Sequence, residues 1–171
     1  MLQPIILQNQ DVYNRSSYKT QYFRNMIQDT DYVLCSVSAA EYLGLYSGTL
    51  GTRIYVLTKS DCIKNHIEFS EHYNLLYTTV NQTINDLLSD DTMDEQVILE
   101  SLADQFHKNN YADLTITPEN QQAFQHFKPH AEAYYSYEWK GKYAQNLRFD
   151  YQSKERARTV LGKQVWFFYL Q

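Results

Sequence analysis

Short apolar runs rich in β-branched and aromatic residues alternate along this chain with stretches whose apolar residues recur at helical spacing. That alternation narrows the fold more than any other feature. Strands present side chains with a period of two and helices with a period of 3.6, so a chain that switches between them must layer helices on a sheet. YVLC (32–35) reads as a buried strand and RIYVLT (53–58) as a second, β-rich one. HIEFSEH (66–72) and LLYTT (75–79) read as further strands separated by polar turns. LQPIILQ (2–8) fits only an edge strand, because Pro4 has no N–H to give to a ladder.

The helical stretches carry their own punctuation. From about Tyr13 to Gln28, residues Tyr18, Tyr22, Phe23, Met26 and Ile27 form one apolar stripe. Ser38 and Glu41 have capping-box spacing ahead of Tyr42 and Leu43, and Gly44 is placed to end that short helix. Thr79 with Gln82 predicts a helix start whose inward face is Ile84, Leu87 and Leu88. Thr92 with Glu95 predicts the start of the next helix, continuing through Val97, Ile98, Leu102 and Phe106. Thr117-Pro118 opens another, with Ala123, Phe124 and Phe127 on its apolar side until Pro129 stops or kinks it. YQSKERARTVLG (151–162) reads as a final helix and KQVWFFYL (163–170) as a final strand. The expected fold is α+β or α/β, one domain with a mixed sheet flanked by helices. Residues 1–138 make its body and 139–171 a C-terminal appendage packed on it.

With 171 residues, 43% hydrophobic and 20% charged, the chain can bury about two-thirds of the surface its unfolded form exposes. No run of 18 apolar residues is present, and the N-terminal stretch lacks the basic flank and long apolar core of a secretion signal. A cytoplasmic location is expected. Cys35 and Cys62, without CxxC spacing, support neither a disulfide framework nor a zinc site, and both are expected to be buried thiols.

Charge is unevenly distributed. Residues 1–139 carry eight Lys/Arg against 18 Asp/Glu, whereas 140–171 carry seven against two, so an acidic body precedes a basic tail. Between Lys64 and Lys108 there is no Lys or Arg, while acids gather at Asp90, Asp91, Asp94 and Glu95. Such a span repels phosphate backbones. It is either a solvated face or a docking surface for a basic partner, including a nucleic-acid site that it occupies or mimics. Asp94 and Glu95 also explain themselves partly as carboxylates in a helix's first turn, worth ~0.3 to 1 kcal/mol each.

Catalytic groupings are weak. The paired carboxylates sit at a polar helix junction, whereas an acid–base pair needs a desolvated cleft to separate its pKa values. His126 and His130 share i, i+4 spacing but lack the flanking acid of an HExxH pattern, and Pro129 lies between them. Cys35 lies in an apolar strand, where His66 or His72 would meet it only through tertiary structure. GxxxxGK[ST], GxGxxG and GxSxG are all missing. No catalytic residue, metal or cofactor is assigned.

Aromatic content points instead to contact surfaces: 16 Tyr, eight Phe and two Trp. Tyrosine offers a large stiff face and a polar tip at low entropic cost. AYYSYEWKGKY (133–143) concentrates the feature, and Tyr134, Tyr135, Tyr137, Trp139 and Tyr143 cannot all point inward from one short segment. These five, with the four acids above, are the candidate partner-binding residues. Stacking of bases on the aromatics beside Lys140, Lys142 and Arg148 is a lesser option, since three phosphate contacts hold nucleic acid weakly.

CSVSAAEYLGLYSG, the RIYVLT strand, LLYTTVNQTINDLLSD, DEQVILESLADQF and TPENQQAFQHFKPHAEAYY occur in an order that resembles the C-terminal module of AbiEi-type antitoxins of abortive-infection and type IV toxin–antitoxin systems. The resemblance spans about residues 30–137 and is most specific in Gln82-Thr83, Asp86-Leu87-Leu88 and Asp94-Glu95. It implies a non-enzymatic cytoplasmic protein whose partner is a nucleotidyltransferase-like toxin. Members of that family usually place a winged-helix domain before this module. No helix-turn-helix fits the segment before residue 30, so operator binding is not expected, and the tail after residue 138 has no counterpart. An acidic Tyr-rich protein of this kind also suits a phage or mobile-element inhibitor of a host defence nuclease, an anti-CRISPR-like role.

Overall fold

A computed structural model describes residues 2–8, 19–27, 31–47 and 53–138. The expected helix at 151–162, the strand at 163–170 and the appendage as a whole lie outside the described residues. Strands β1 (Ile5–Gln8), β2 (Tyr32–Leu34), β3 (Arg53–Thr58), β4 (Phe69–His72) and β5 (Leu75–Thr78) form a sheet of order β1-β3-β2-β5-β4. β2 runs parallel to β5 and the other neighbours are antiparallel, which makes the sheet mixed. Helices α1 (Lys19–Met26), α2 (Ser36–Leu43), α3 (Lys59–Lys64), α4 (Val80–Ser89), α5 (Glu95–Asn109) and α6 (Gln121–Glu138) complete an α+β fold, as the patterning predicts.

The register explains why the central strands read as continuous apolar runs. Leu34 opposite Val56, together with Ile54 and Leu75, faces one side of the sheet and packs with Phe23 and Ile27 of the α1 segment. Val33, opposite both Leu57 and Leu76, faces the other side with Cys35 and Cys62. Both faces of β2 are thus covered, and apolarity on alternate residues becomes apolarity on every residue. A third cluster belongs to the helices. Val37 and Ala40 of α2 meet Ile84 and Leu87 of α4, Leu102 of α5 and Phe124 of α6.

Helix ends depart from the sequence reading in informative ways. α2 starts at Ser36, and Ser38 lies within it, buried, accepting a hydrogen bond from the Tyr55 backbone N–H at 2.9 Å. β2 has turned into α2 at this level, so the Ser38 hydroxyl supplies the acceptor that β3 would otherwise find on its neighbouring strand. Gly44 does end the helix, at φ 76°, with Leu45 N–H reaching the Ala40 carbonyl at 2.9 Å. α3 went unpredicted. It is capped by Thr58, whose hydroxyl accepts from Asp61 N–H at 3.1 Å.

Thr79 caps α4 as expected, accepting from Gln82 N–H at 3.3 Å, but the Gln82 side chain donates onward to Asp86 at 2.8 Å instead of closing the box. α5 is capped by Asp94, not Thr92, because Thr92 donates both its N–H and its hydroxyl to Asp90 Oδ1, at 2.9 and 2.7 Å. α6 follows a single 3-10 turn at Pro118–Asn120 and runs through Pro129 to Glu138. Pro129 and Gln125 are both exposed, so the carbonyl that proline leaves without a donor can be hydrated.

Candidate functional site

The acidic turn between α4 and α5 forms one wall of a groove of about 740 Å³. Asp90, Asp91 and Asp94 line that wall. Gln3, Pro4 and Ile6 of the β1 segment and Arg53 and Tyr55 of β3 line the opposite side. Buried Val37 and Val97, with half-buried Tyr46, supply apolar surface at its base. The sequence run of acids was legible; the apolar base, assembled from α2, the loop after it and α5, was not.

Each acid has a defined local role. Asp90 is half-buried and organises the turn through Thr92. Asp94 accepts from Gln96 N–H at 2.9 Å as the α5 cap, and Glu95 stands exposed in the first turn. Asp91 is exposed and holds no structural hydrogen bond among the described residues. No ion pair to a described residue neutralises these four, and across the groove Arg53 is the cation that lines it. The wall therefore presents a negative potential over an apolar floor.

Of the aromatic candidates, Tyr134 is half-buried, packs against the helical core and donates its hydroxyl to Glu100 Oε1 at 3.2 Å. It is therefore not simply a surface ring. Tyr135 and Tyr137 belong to the last turns of α6, with side chains outside the described residues, as are Trp139 and Tyr143. α6 runs back along α5. Near its start Phe124 meets Tyr111 edge-on at 5.4 Å, just beyond the C-terminal end of α5, while Tyr134 reaches Glu100 in the first half of α5. One turn beyond Tyr134, Glu138 is level with the first turn of α5.

Glu100 itself carries no sequence signal. It is buried, and its carboxylate accepts from Ser47 N–H (2.8 Å), Ser47 Oγ (2.6 Å), Gln96 Nε2 (2.9 Å) and Tyr134 Oη, partners that only the tertiary fold assembles. Asp86, on the inner side of α4, has its carboxyl pushed up to about 6 by burial, with the Gln82 hydrogen bond opposing. Burial also lifts the Cys35 thiol well above its ordinary value and Cys62 to about 11, so both are protonated at neutral pH and are poor nucleophiles. His126 and His130 are exposed on α6, their rings 5.9 Å apart, and no group of three potential metal ligands occurs among the described residues.

Comparison of the chain with protein-family models, with curated proteins and with solved structures finds no match. Among the described residues no helix is long and apolar enough to cross a membrane.

Proposed function

We propose that this chain is a non-enzymatic, cytoplasmic, protein-binding regulator of the kind found in abortive-infection and type IV toxin–antitoxin pairs, docking a basic surface of its partner into the acid-walled groove. One observation carries the reading: three carboxylates, none in an ion pair with a described residue, line an apolar-based groove. Charged walls steer a partner of opposite sign and set its register, and the apolar base supplies contact area once water leaves. The resemblance over residues 30–137 makes a nucleotidyltransferase-like toxin the first partner to test. Co-expression with such a toxin encoded next to this chain is expected to relieve toxicity and yield a co-purifying complex. Unrelieved toxicity without a complex retires that partner.

A second reading is supported by the stretch from Asn65 to His107, which lacks any Lys or Arg. Here the acidic face occupies the nucleic-acid site of a defence enzyme. Competition separates the two: the inhibitor displaces nucleic acid from its target, whereas the antitoxin-like regulator is indifferent to it.

A further inference from the structure

We infer that a recess adjoining the acid-walled groove is the anchor site for a lysine side chain of the partner, its ammonium received by Asp86, Asp90 and Ser36. The inference rests on the reading of the groove as a docking surface for a basic partner and names the side chain that enters it.

Pro4 and Asp90 line both the groove and the recess, so the two adjoin. Pro4, Leu57 and Ile67 give the recess apolar walls, against which the methylenes of a lysine can lie. Its polar lining comes from two helices. Asp86 in α4 and Asp90 at the C-terminal cap of that helix stand four residues apart, and each commits one carboxylate oxygen internally. Asp86 Oδ1 accepts from Gln82 Nε2 at 2.8 Å, and Asp90 Oδ1 accepts from Thr92. The second oxygen of each has no hydrogen-bond partner among the described residues, and no ion pair with a described residue neutralises either. From α2 comes Ser36, only 8% exposed, whose hydroxyl likewise lacks a partner among the described residues. Its backbone is held at φ 50°, a region that a residue other than glycine occupies at a cost. The fold thus keeps a buried hydroxyl at the recess with nothing of its own to bond.

Charge and size decide the occupant. The last turn of α4 contains no basic residue to meet the negative end of that helix, and Asp86 and Asp90 deepen the deficit. The N-terminal end of α2, capped by Cys35 without a side-chain hydrogen bond, carries roughly half a positive charge and opposes a cation. Two carboxylates and the carbonyl end of α4 outweigh it, and an anion is repelled. Burial that raises the Asp86 carboxyl is also what an incoming ammonium offsets, since an opposite charge at close range favours the ionised form. The recess holds about 40 Å³, room for an ammonium and the carbon that bears it but not for the planar fork of an arginine.

Titration of the full chain with n-butylammonium chloride, followed through the backbone amide NMR signals of Cys35 and Ser36, tests this without any partner. The expected result is saturable shifts at both positions, with half-saturation in the millimolar range. Binding should weaken at least about fivefold in Asp86→Asn and in Asp90→Asn, each of which keeps its internal acceptor oxygen and so its local hydrogen bonds. Tetramethylammonium, equal in charge but too bulky for the recess, should leave these signals unmoved. Shifts that grow without saturating, that tetramethylammonium reproduces, or that persist at full strength in the folded double variant overturn the proposal. So does tighter saturation by n-butylguanidinium, which reassigns the anchor to arginine. Saturation by butylammonium without toxin binding retires the proposed function and leaves the recess an ammonium site. A toxin complex formed by a chain whose recess ignores butylammonium does the reverse.

Discussion

Tyr134 in α6 donates its hydroxyl to the carboxylate of Glu100 in α5 across 3.2 Å, completing a shell in which Ser47 and Gln96 supply the other donors. A carboxylate only 3% exposed is thereby satisfied without a cation, and the loop after α2, α5 and α6 are tied at one point. Removing one donor costs little; removing the acceptor strands several. Tyr134→Phe is expected to lower stability by about 1 kcal/mol and Glu100→Ala by about 3 kcal/mol. In a double-mutant cycle measured by urea unfolding, Tyr134→Phe should cost almost nothing once Glu100 is alanine. Strictly additive losses would show that the hydrogen bond contributes nothing.

Asp86 makes stability depend on pH in a direction opposite to most carboxylates. Its folded value of about 6 lies above the ordinary 3.8, so between those values the folded chain keeps a proton that the unfolded chain releases. This group's contribution therefore falls as pH rises through that window and is constant above it. Asp86→Asn preserves an acceptor for Gln82 Nε2 and removes the charge. It should stabilise the protein at pH 7.5 by on the order of 2 kcal/mol, with the advantage shrinking towards pH 4. Parallel denaturation curves for the two proteins at both pH values decide it, and an equal difference at both would rule the buried charge out.

Asn85 in α4 holds the segment between α5 and α6. Its Nδ2 donates to the Thr115 carbonyl at 2.8 Å, and its Oδ1 accepts from Thr117 N–H at 2.9 Å and from Asn120 Nδ2 at 3.1 Å. Asn85→Ala leaves a backbone donor and a backbone acceptor without partners and should cost about 2 to 3 kcal/mol. Hydrogen exchange at Thr117 should accelerate well beyond the change at Leu102 in the core, since local release precedes global unfolding. Equal acceleration at the two positions would mean that Asn85 stabilises the whole fold and not this segment.

These features differ in how far they could be read from sequence, for physical reasons. β3 was legible from Arg53 to Thr58 because a strand buried on both faces needs an unbroken apolar run. The inward residues of α4 and α5 were legible because both helices are long enough for periodicity to register. α3 was not: a six-residue helix with Cys62 as its buried side chain shows no period, and the Thr58–Asp61 capping pair was the one available signal. Ser38 and Thr92 misled because each hydroxyl serves a different acceptor or donor, the Tyr55 N–H and the Asp90 carboxylate, known only once the strands and turn are placed. At the site, the acidic wall is a property of consecutive residues and could be read. The base of Val37, Tyr46 and Val97 and the shell around Glu100 join residues dozens of positions apart and could not.

The acidic wall can be tested without disturbing the turn that carries it, provided the substitutions respect the hydrogen bonds. Asp90 organises Thr92 and Asp94 caps α5, so reversing either confounds binding with folding. Asp91 is exposed and free of such a role, and Asp94→Ser removes a charge while keeping a capping oxygen. The pair Asp91→Lys and Asp94→Ser should leave the melting temperature nearly unchanged and slow association with a basic partner at least tenfold in low salt, with the deficit closing as salt approaches about 0.5 M. Electrostatic steering acts on the encounter, so the loss should appear in the association rate more than in dissociation. Surface-immobilised partner and a salt series provide both rates. An association rate that the substitutions leave untouched at low salt would remove the acidic wall from recognition and leave the apolar base of the groove to account for binding.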